Sequence, residues 1–231
     1  MPHFKISVDN QSGLNNHYLL FKQSPRVDNK DEARVFSNIA AISGDTPSAA
    51  TATFTIDQDL YGVCGSSTDT PLGSGVSVSS VQTTPNPLKL GTITDQSATM
   101  CFMTAIGGGG GGAPEGAEFD ASKQSTRNVP GGFAIKTDGK FRTRNSSHLF
   151  AGIGTTTNRS MVALATFEAE PNTDYIIFPK DIFYVGTGDY DQGTIIDIKA
   201  IGMVSKIDFT SGFSNAHLTH TLDNTYTVEM S

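Results

Sequence analysis

The chain has 231 residues, of which 37% are hydrophobic and 17% charged, and its formal net charge is −7 at pH 7. This acidic balance argues against a general nucleic-acid binder, which needs a basic surface to displace the counterions of the phosphate backbone. No stretch of the sequence approaches the roughly 18 apolar residues of a membrane-spanning helix. The N-terminal residues show no secretory signal pattern, so we expect either a cytosolic protein or one whose leader has been removed.

The first segments of the chain alternate apolar and polar residues, which is typical of half-buried strands. Residues 4–9 (FKISVD) show this alternation, and residues 17–22 (HYLLFK) predict a second strand after a run of turn residues. The enrichment in Ser, Thr and Gly also favours strands and turns over helices, because Thr is stiff at χ1 and Gly is costly inside a helix.

Residues 28–44 (DNKDEARVFSNIAAISG) interrupt this strand pattern and predict one short helix. Asp28 would be its N-cap, acidic residues follow in the first turn, and Gly44 would end it. Apolar residues also recur at helical spacing from Val35 to Ala40. The alternative is that RVFSNIA forms a strand.

The rest of the chain returns to strand patterns. The clearest is residues 50–57 (ATATFTID), in which threonines alternate with Ala, Phe and Ile. The further predicted strands are residues 60–64, 75–82, 88–94, 98–104, 132–136, 161–168, 174–178, 181–186, 194–199, 204–210 and 225–230. About a dozen strands with regular turn signals predict an all-β fold, an antiparallel β-sandwich or jelly-roll, with one short helix. We expect a single domain over residues 1–231, with a two-lobed chain as the alternative.

Six consecutive glycines lie within residues 105–116 (AIGGGGGGAPEG). A phosphate-binding loop would need a lysine directly after its glycines, whereas the nearest charges here are Glu115, Glu118 and Asp120, which would repel an anion. Six glycines also lose much backbone entropy when they are ordered. We therefore expect a mobile loop near residues 105–131, serving as a lid or as a linker.

Two cysteines, Cys64 and Cys101, lie in strand-like apolar segments. Two cysteines are too few to define a disulfide framework, so we expect two buried thiols. A disulfide between neighbouring strands is the alternative.

Two places in the sequence offer metal ligands. Asp189 and Asp191 lie in a glycine-flanked turn and could present carboxylates to a hard cation such as calcium, although such residues also serve as ordinary turn residues. His217 and His220 are three apart, a spacing that would place them on opposite faces of a strand, which argues against a zinc site.

Tyrosines are the candidate ligand-binding residues, because the chain has no tryptophan. Tyr61, Tyr184 and Tyr190 lie in or beside predicted strands and could line a pocket, although strand packing is the more common role. No nucleophile elbow or other catalytic signature is present, so we assign no catalytic residue and no cofactor.

Three functions remain open from the sequence. The first is a non-enzymatic binding or interaction module that uses loops on a rigid sheet to bind a small molecule, a glycan or a protein. The second is a cofactor-independent enzyme that acts on a small organic molecule in an apolar cavity, with the glycine-rich loop as its lid. The third is a self-assembling structural protein, for which a homo-oligomer is expected.

Overall fold

The computed structural model describes residues 2–67, 71–78, 81–107, 116–142, 147–157 and 160–231. These residues form an almost entirely β structure, which confirms the predicted fold class. The strands are β1 (His3–Asn10), β2 (Tyr18–Lys22), β3 (Arg26–Asp28), β4 (Phe36–Ile42), β5 (Thr51–Asp57), β6 (Tyr61–Ser66), β7 (Val81–Thr83), β8 (Ser97–Ile106), β9 (Gly116–Phe119), β10 (Ser125–Asn128), β11 (Phe133–Thr137), β12 (Leu149–Thr157), β13 (Ser160–Glu168), β14 (Asp174–Phe178), β15 (Ile182–Thr187), β16 (Ile195–Ile196), β17 (Ser205–Asp208), β18 (Asn215–His220) and β19 (Tyr226–Met230). Single 3-10 turns cover Glu32–Arg34, Ala121–Lys123, Ile198–Ala200 and Phe209–Ser211.

The larger sheet follows the order β17-β15-β2-β4-β13-β12-β5-β1-β18-β19, with β6, β7 and β16 attached to it. Its two outermost strands, β17 and β19, approach one another, so this part of the sheet curls towards a barrel. Most neighbouring strands are antiparallel, as predicted. An exception is β1, which lies between β5 and β18 and pairs with β18 in parallel.

The smaller sheet has the order β10-β8-β11-β14-β3, with β9 beside β8. Strand β11 runs parallel to β8, the second exception to antiparallel pairing. Apolar side chains from this sheet, such as Phe133 and Ile177, pack in one core with Ile153 and Leu164 of the larger sheet. The two sheets therefore form a sandwich along this core.

A second core fills the curled part of the larger sheet. The alternation predicted for β1 is observed, since Ile6 and Val8 are buried in this core. Phe4 also lies in it and stacks on Phe209 with ring centroids 4.4 Å apart. Within the part of the chain that the structure describes, no helix is long and apolar enough to cross a membrane.

The helix predicted within residues 28–44 is wrong. Only Glu32–Arg34 is helical, as a single 3-10 turn capped by Asp31 rather than by Asp28. The next residues form the strand β4, the alternative that the sequence left open. Strand β4 pairs with β2, β13 and β16, and these pairings outweigh a helical preference that is weak by itself.

Part of the predicted mobile loop near residues 105–131 is regular structure instead. Strand β8 continues to Ile106, and β9 and β10 lie between Gly116 and Asn128. The centre of the glycine tract, residues 108–115, lies outside the described residues. The hypothesis of an enzyme with a glycine-rich lid depends on those residues and therefore stays a prediction.

Cys64 and Cys101 are both free and buried, as expected from their apolar surroundings. They lie in the core between the two sheets. Burial raises the pKa of the Cys101 thiol to about 12. The pKa of Cys64 is also raised, first by burial and then by the charge of Glu118.

Candidate ligand-binding site

Three connecting segments meet at the end of the larger sheet where β2 begins and β4 ends. They are the loop from β1 to β2, the loop from β4 to β5, and the turn that follows β15. The first two are joined by a two-residue bridge, in which the amides of Asn16 and Thr46 each donate to the other's carbonyl. Loops positioned in this way by a sheet are common binding surfaces.

The three segments surround an open cleft of about 370 Å³. Its lining is mostly polar and consists of Asn15, Asn16, His17, Asp45, Thr187, Gly188 and Asp189. A volume of this size lies within the range of small-molecule sites, roughly 300–1,000 Å³. The cleft therefore suits a small polar ligand or one unit of a larger ligand.

One wall of the cleft is formed by His17 and Asp189. Nδ1 of His17 lies 2.7 Å from Oδ1 of Asp189, and the Gly188 amide donates to the His17 carbonyl at 3.1 Å. The side chains are 43% and 90% exposed, so their charge attraction alone contributes little. The backbone bond is what aligns the two segments, and the exposed side chains remain available to a ligand.

The opposite wall is formed by Asn15 and Asp45. The Asn15 side-chain amide donates to Oδ2 of Asp45 at 2.9 Å. Below them, the buried Asn10 donates to the carbonyls of Leu14 and Thr46 at 2.7 and 2.8 Å. Asn10 thereby holds both loops at fixed positions, so the cleft is formed before any ligand binds.

Tyr190 lies beside this cleft and is 41% exposed. Its ring rests on the backbone of Gly188, where a β-carbon would come within 2.9 Å of the ring. The absence of a side chain at Gly188 therefore makes room for the tyrosine ring. Among the tyrosines predicted to bind a ligand, Tyr190 is in a position to contact a molecule that extends out of the cleft.

The other two predicted tyrosines lie elsewhere. Tyr184 on β15 stacks on Phe21 with ring centroids 5.6 Å apart, and its hydroxyl lies 3.5 Å from Oε1 of Gln23. Tyr61 begins β6 and pairs with Gly154 of β12. Neither tyrosine lines the cleft, and a ligand-binding role for them stays a prediction.

The predicted metal ligands, Asp189 and Asp191, have different contacts. Asp189 faces His17, whereas Asp191 is exposed and its carbonyl accepts a hydrogen bond from the Thr194 amide at 3.2 Å, as in an ordinary turn. Over the residues that the structure describes, no group of three or more His, Cys, Asp and Glu side chains could hold a metal ion. A cation at Asp189 and Asp191 stays a prediction with its own test.

The two histidines of the HLTH segment point to different surroundings, as expected for a strand. His217 is half exposed and lies 3.1 Å from Oδ2 of Asp9. His220 is buried, and its ring nitrogens contact Tyr18 and Asn224.

The sequence pattern indicates Asp189 as a candidate ligand residue but does not indicate the residues that surround it in the cleft. His17, Asn15 and Asp45 lie in polar loop segments that resemble many others in this chain. Asp189 is 172 residues from His17, and no local pattern reports which loops a sheet will bring together. The buried Asn10 at the end of an alternating strand was the one available signal, since a buried amide in that position must find partners.

Comparison with known proteins gives one family. A family model described as RhiA matches residues 1–231, and the chain therefore belongs to the RhiA family. No curated protein and no solved structure matches the chain.

Proposed function

We propose that this member of the RhiA family is a non-enzymatic binding module and that the cleft between Asn15, Asp45 and Asp189 is its ligand site. The observation that carries the proposal is that three loops, fixed by Asn10 and by the Asn16–Thr46 bridge, enclose a polar cleft on a rigid sheet. A preformed site loses little entropy when a ligand binds.

The chemistry of the lining favours a ligand rich in hydroxyl groups. Carboxylates such as Asp45 accept hydrogen bonds from hydroxyls, and side-chain amides such as Asn15 both donate and accept. Among the residues that the structure describes, the lining carries two carboxylates and no lysine or arginine, so an anionic ligand would be repelled at neutral pH. The exposed ring of Tyr190 offers an apolar face of the kind that packs against a sugar ring. A glycan is therefore the ligand class that we propose.

The test is a titration of ¹⁵N-labelled protein with the methyl glycosides of glucose, galactose, mannose and N-acetylglucosamine. We expect at least one sugar to shift the amide signals of residues 15–17, 45–46 and 187–190. Asp45→Asn should weaken that binding, because the amide nitrogen cannot accept a hydrogen bond. Glu32→Gln, an exposed change outside the cleft, is the matched control. Saturating sugar without shifts at these residues would contradict the proposal.

Calcium binding is tested separately, by thermal unfolding. If Asp189 and Asp191 hold a cation, calcium raises the melting temperature and Asp189→Ala abolishes the increase. An unchanged melting temperature in millimolar calcium would end the cation hypothesis and leave the sugar hypothesis in place.

A further inference from the structure

A second cavity, of about 480 Å³, lies at the opposite end of the β2–β4 pair, where β2 ends and β4 begins. It is bounded by the 3-10 turn Glu32–Arg34, by the segment at Ser74, and by residues 196–199. It shares no residue with the cleft described above. The two cavities are therefore separate sites on the same sheet.

The inner walls of this cavity are apolar. Val35 and Ile196 are buried, and Phe36 and Ile198 are partly buried beside them. Ile196 and Ile198 are held from behind by the cluster of Leu19, Phe21 and Ile39. A phenyl or branched alkyl group that enters the cavity would cover this apolar surface and remove it from water, which favours binding.

Two serine hydroxyls at the cavity form a hydrogen bond whose donor can be assigned. The buried Ser37 donates its one hydrogen to the Lys22 carbonyl at 2.9 Å. Ser24 Oγ lies 2.9 Å from Ser37 Oγ, so Ser24 must be the donor in that contact. The lone pairs of the Ser24 oxygen are then left to accept a hydrogen bond, and a ligand that meets Ser24 is best served by an N–H or O–H donor.

The rim of the cavity is acidic. It carries Glu32, Asp197 and one cation, Lys199. Oδ1 of Asp197 accepts the Lys199 backbone amide at 3.0 Å, whereas the second oxygen stays available. Neither carboxylate forms an ion pair with any residue in the described ranges. A cationic group is therefore favoured at the mouth.

We infer that this cavity is a second binding site and that it takes a small organic amine, a protonated primary amine on an apolar body. The apolar body lies against Phe36 and Ile196, and the ammonium faces Ser24 and Glu32. In this arrangement one molecule donates a hydrogen bond to Ser24, places its positive charge near the carboxylates of the rim and covers the apolar wall. The inference does not depend on the glycan proposal, since the two cavities have no residue in common.

The probe for the test is 2-phenylethylamine, with two matched compounds. Phenylacetate keeps the ring and reverses the charge, and ethanolamine keeps the ammonium and lacks the ring. We expect 2-phenylethylamine to shift the amide signals of residues 24, 32–37 and 196–199 with saturation, and to bind at least tenfold more tightly than either comparison compound. Equal binding of phenylacetate, or shifts spread over the whole surface, would overturn the inference.

Variants separate the contributions of the rim and of the hydroxyl. Glu32→Gln removes one rim charge at an exposed position and should weaken the amine roughly two- to fivefold, with the effect reduced by added salt. Ser24→Ala should weaken amine binding more than Glu32→Gln does, because the ammonium loses its hydrogen-bond acceptor. Asp45→Asn, in the other cleft, should leave amine binding unchanged. If Glu32→Gln and Ser24→Ala both bind the amine as the unchanged chain does, the assigned site is wrong.

Discussion

The hydroxyl of Tyr18 lies 3.0 Å from Nδ1 of His220, although 202 residues separate them in the chain. The other ring nitrogen of His220 lies 2.8 Å from Oδ1 of Asn224. An amide oxygen only accepts, so in the neutral imidazole Nε2 carries the hydrogen and Nδ1 accepts from Tyr18. Both Tyr18 and His220 are buried, and burial raises the pKa of Tyr18 to about 12. This contact joins β2 to the end of β18 inside the curled sheet.

Tyr18→Phe should therefore destabilise the protein. It leaves Nδ1 of His220 buried without a donor, at a cost of about 1–3 kcal/mol in the free energy of unfolding. Urea unfolding measures the change. Tyr226 supplies a matched control, because its buried hydroxyl has no hydrogen-bond partner among the described residues and its ring stacks on His220. Tyr226→Phe keeps the ring and should be neutral or stabilising. An equal loss in both variants would show that the Tyr18–His220 bond contributes nothing.

Among the described ion pairs, Lys22–Asp181 contains the most buried charged side chain, with Nζ 2.7 Å from Oδ1 and the lysine side chain 2% exposed. Asp181→Ala leaves this ammonium without its counterion and should cost about 3 kcal/mol. Lys22→Met should change stability by less than about 1 kcal/mol, because the apolar stem is retained and the half-exposed Asp181 is solvated. Paired urea titrations give both values, and a larger loss in Lys22→Met than in Asp181→Ala would contradict this reasoning.

The same lysine gives the protein a pH dependence. Burial lowers the pKa of Lys22 from the ordinary 10.5, and Asp181 opposes the shift only in part. Between the lowered pKa and 10.5, the unfolded chain binds more protons than the folded chain, so the lysine's contribution to stability increases with pH. The unfolding free energy of the natural chain, measured relative to that of Lys22→Met, should therefore increase as pH rises towards 10.5. A difference independent of pH would mean that Lys22 titrates normally.

The thiols of Cys64 and Cys101 should be unreactive in the folded protein. Burial keeps both pKa values above the usual range, and only the thiolate reacts with disulfide reagents. Reaction with 5,5′-dithiobis(2-nitrobenzoate) should be very slow in buffer and release two equivalents in guanidinium chloride. No release in denaturant would instead indicate the disulfide.

Gly152 in the middle of β12 should not tolerate a side chain. A β-carbon there would lie 2.0 Å from the carbonyl oxygen of Ala165 on the paired strand β13. Gly152→Ala must push two central strands apart and should cost at least about 2 kcal/mol. Gly44→Ala, where a β-carbon would meet nothing within 4 Å, is the control and should change stability little. Thermal unfolding of the two variants compares them directly.

Local alternation was a sufficient signal for much of the fold. The strand predicted at residues 50–57 is observed as Thr51–Asp57, one residue shorter at its start. The prediction succeeds because side chains alternate between the two faces of a sheet and the threonines lie on the exposed face. The helix in residues 28–44 was wrong because β4 gains its hydrogen bonds from three distant strands. An apolar run with few turn residues fits either structure until those neighbours are known.

The candidate sites were harder to predict, because each is formed by segments far apart in the chain. Asp189 was selected as a carboxylate in a turn, but its contact with His17 follows from the pairing of β15 with β2. The serine pair at the second cavity depends in the same way on β4 lying next to β2. Pairing register over such separations is set by the whole fold and not by either segment.

The position of β1 has a consequence for how the protein is made. Its residues hydrogen-bond to β5 on one side, and on the other side they require β18, which begins at Asn215. During synthesis the first strand therefore leaves the ribosome long before its second neighbour exists. One edge of β1 stays open to water, or to a chaperone, until Asn215–His220 has also been released, and the curled sheet can close only after that.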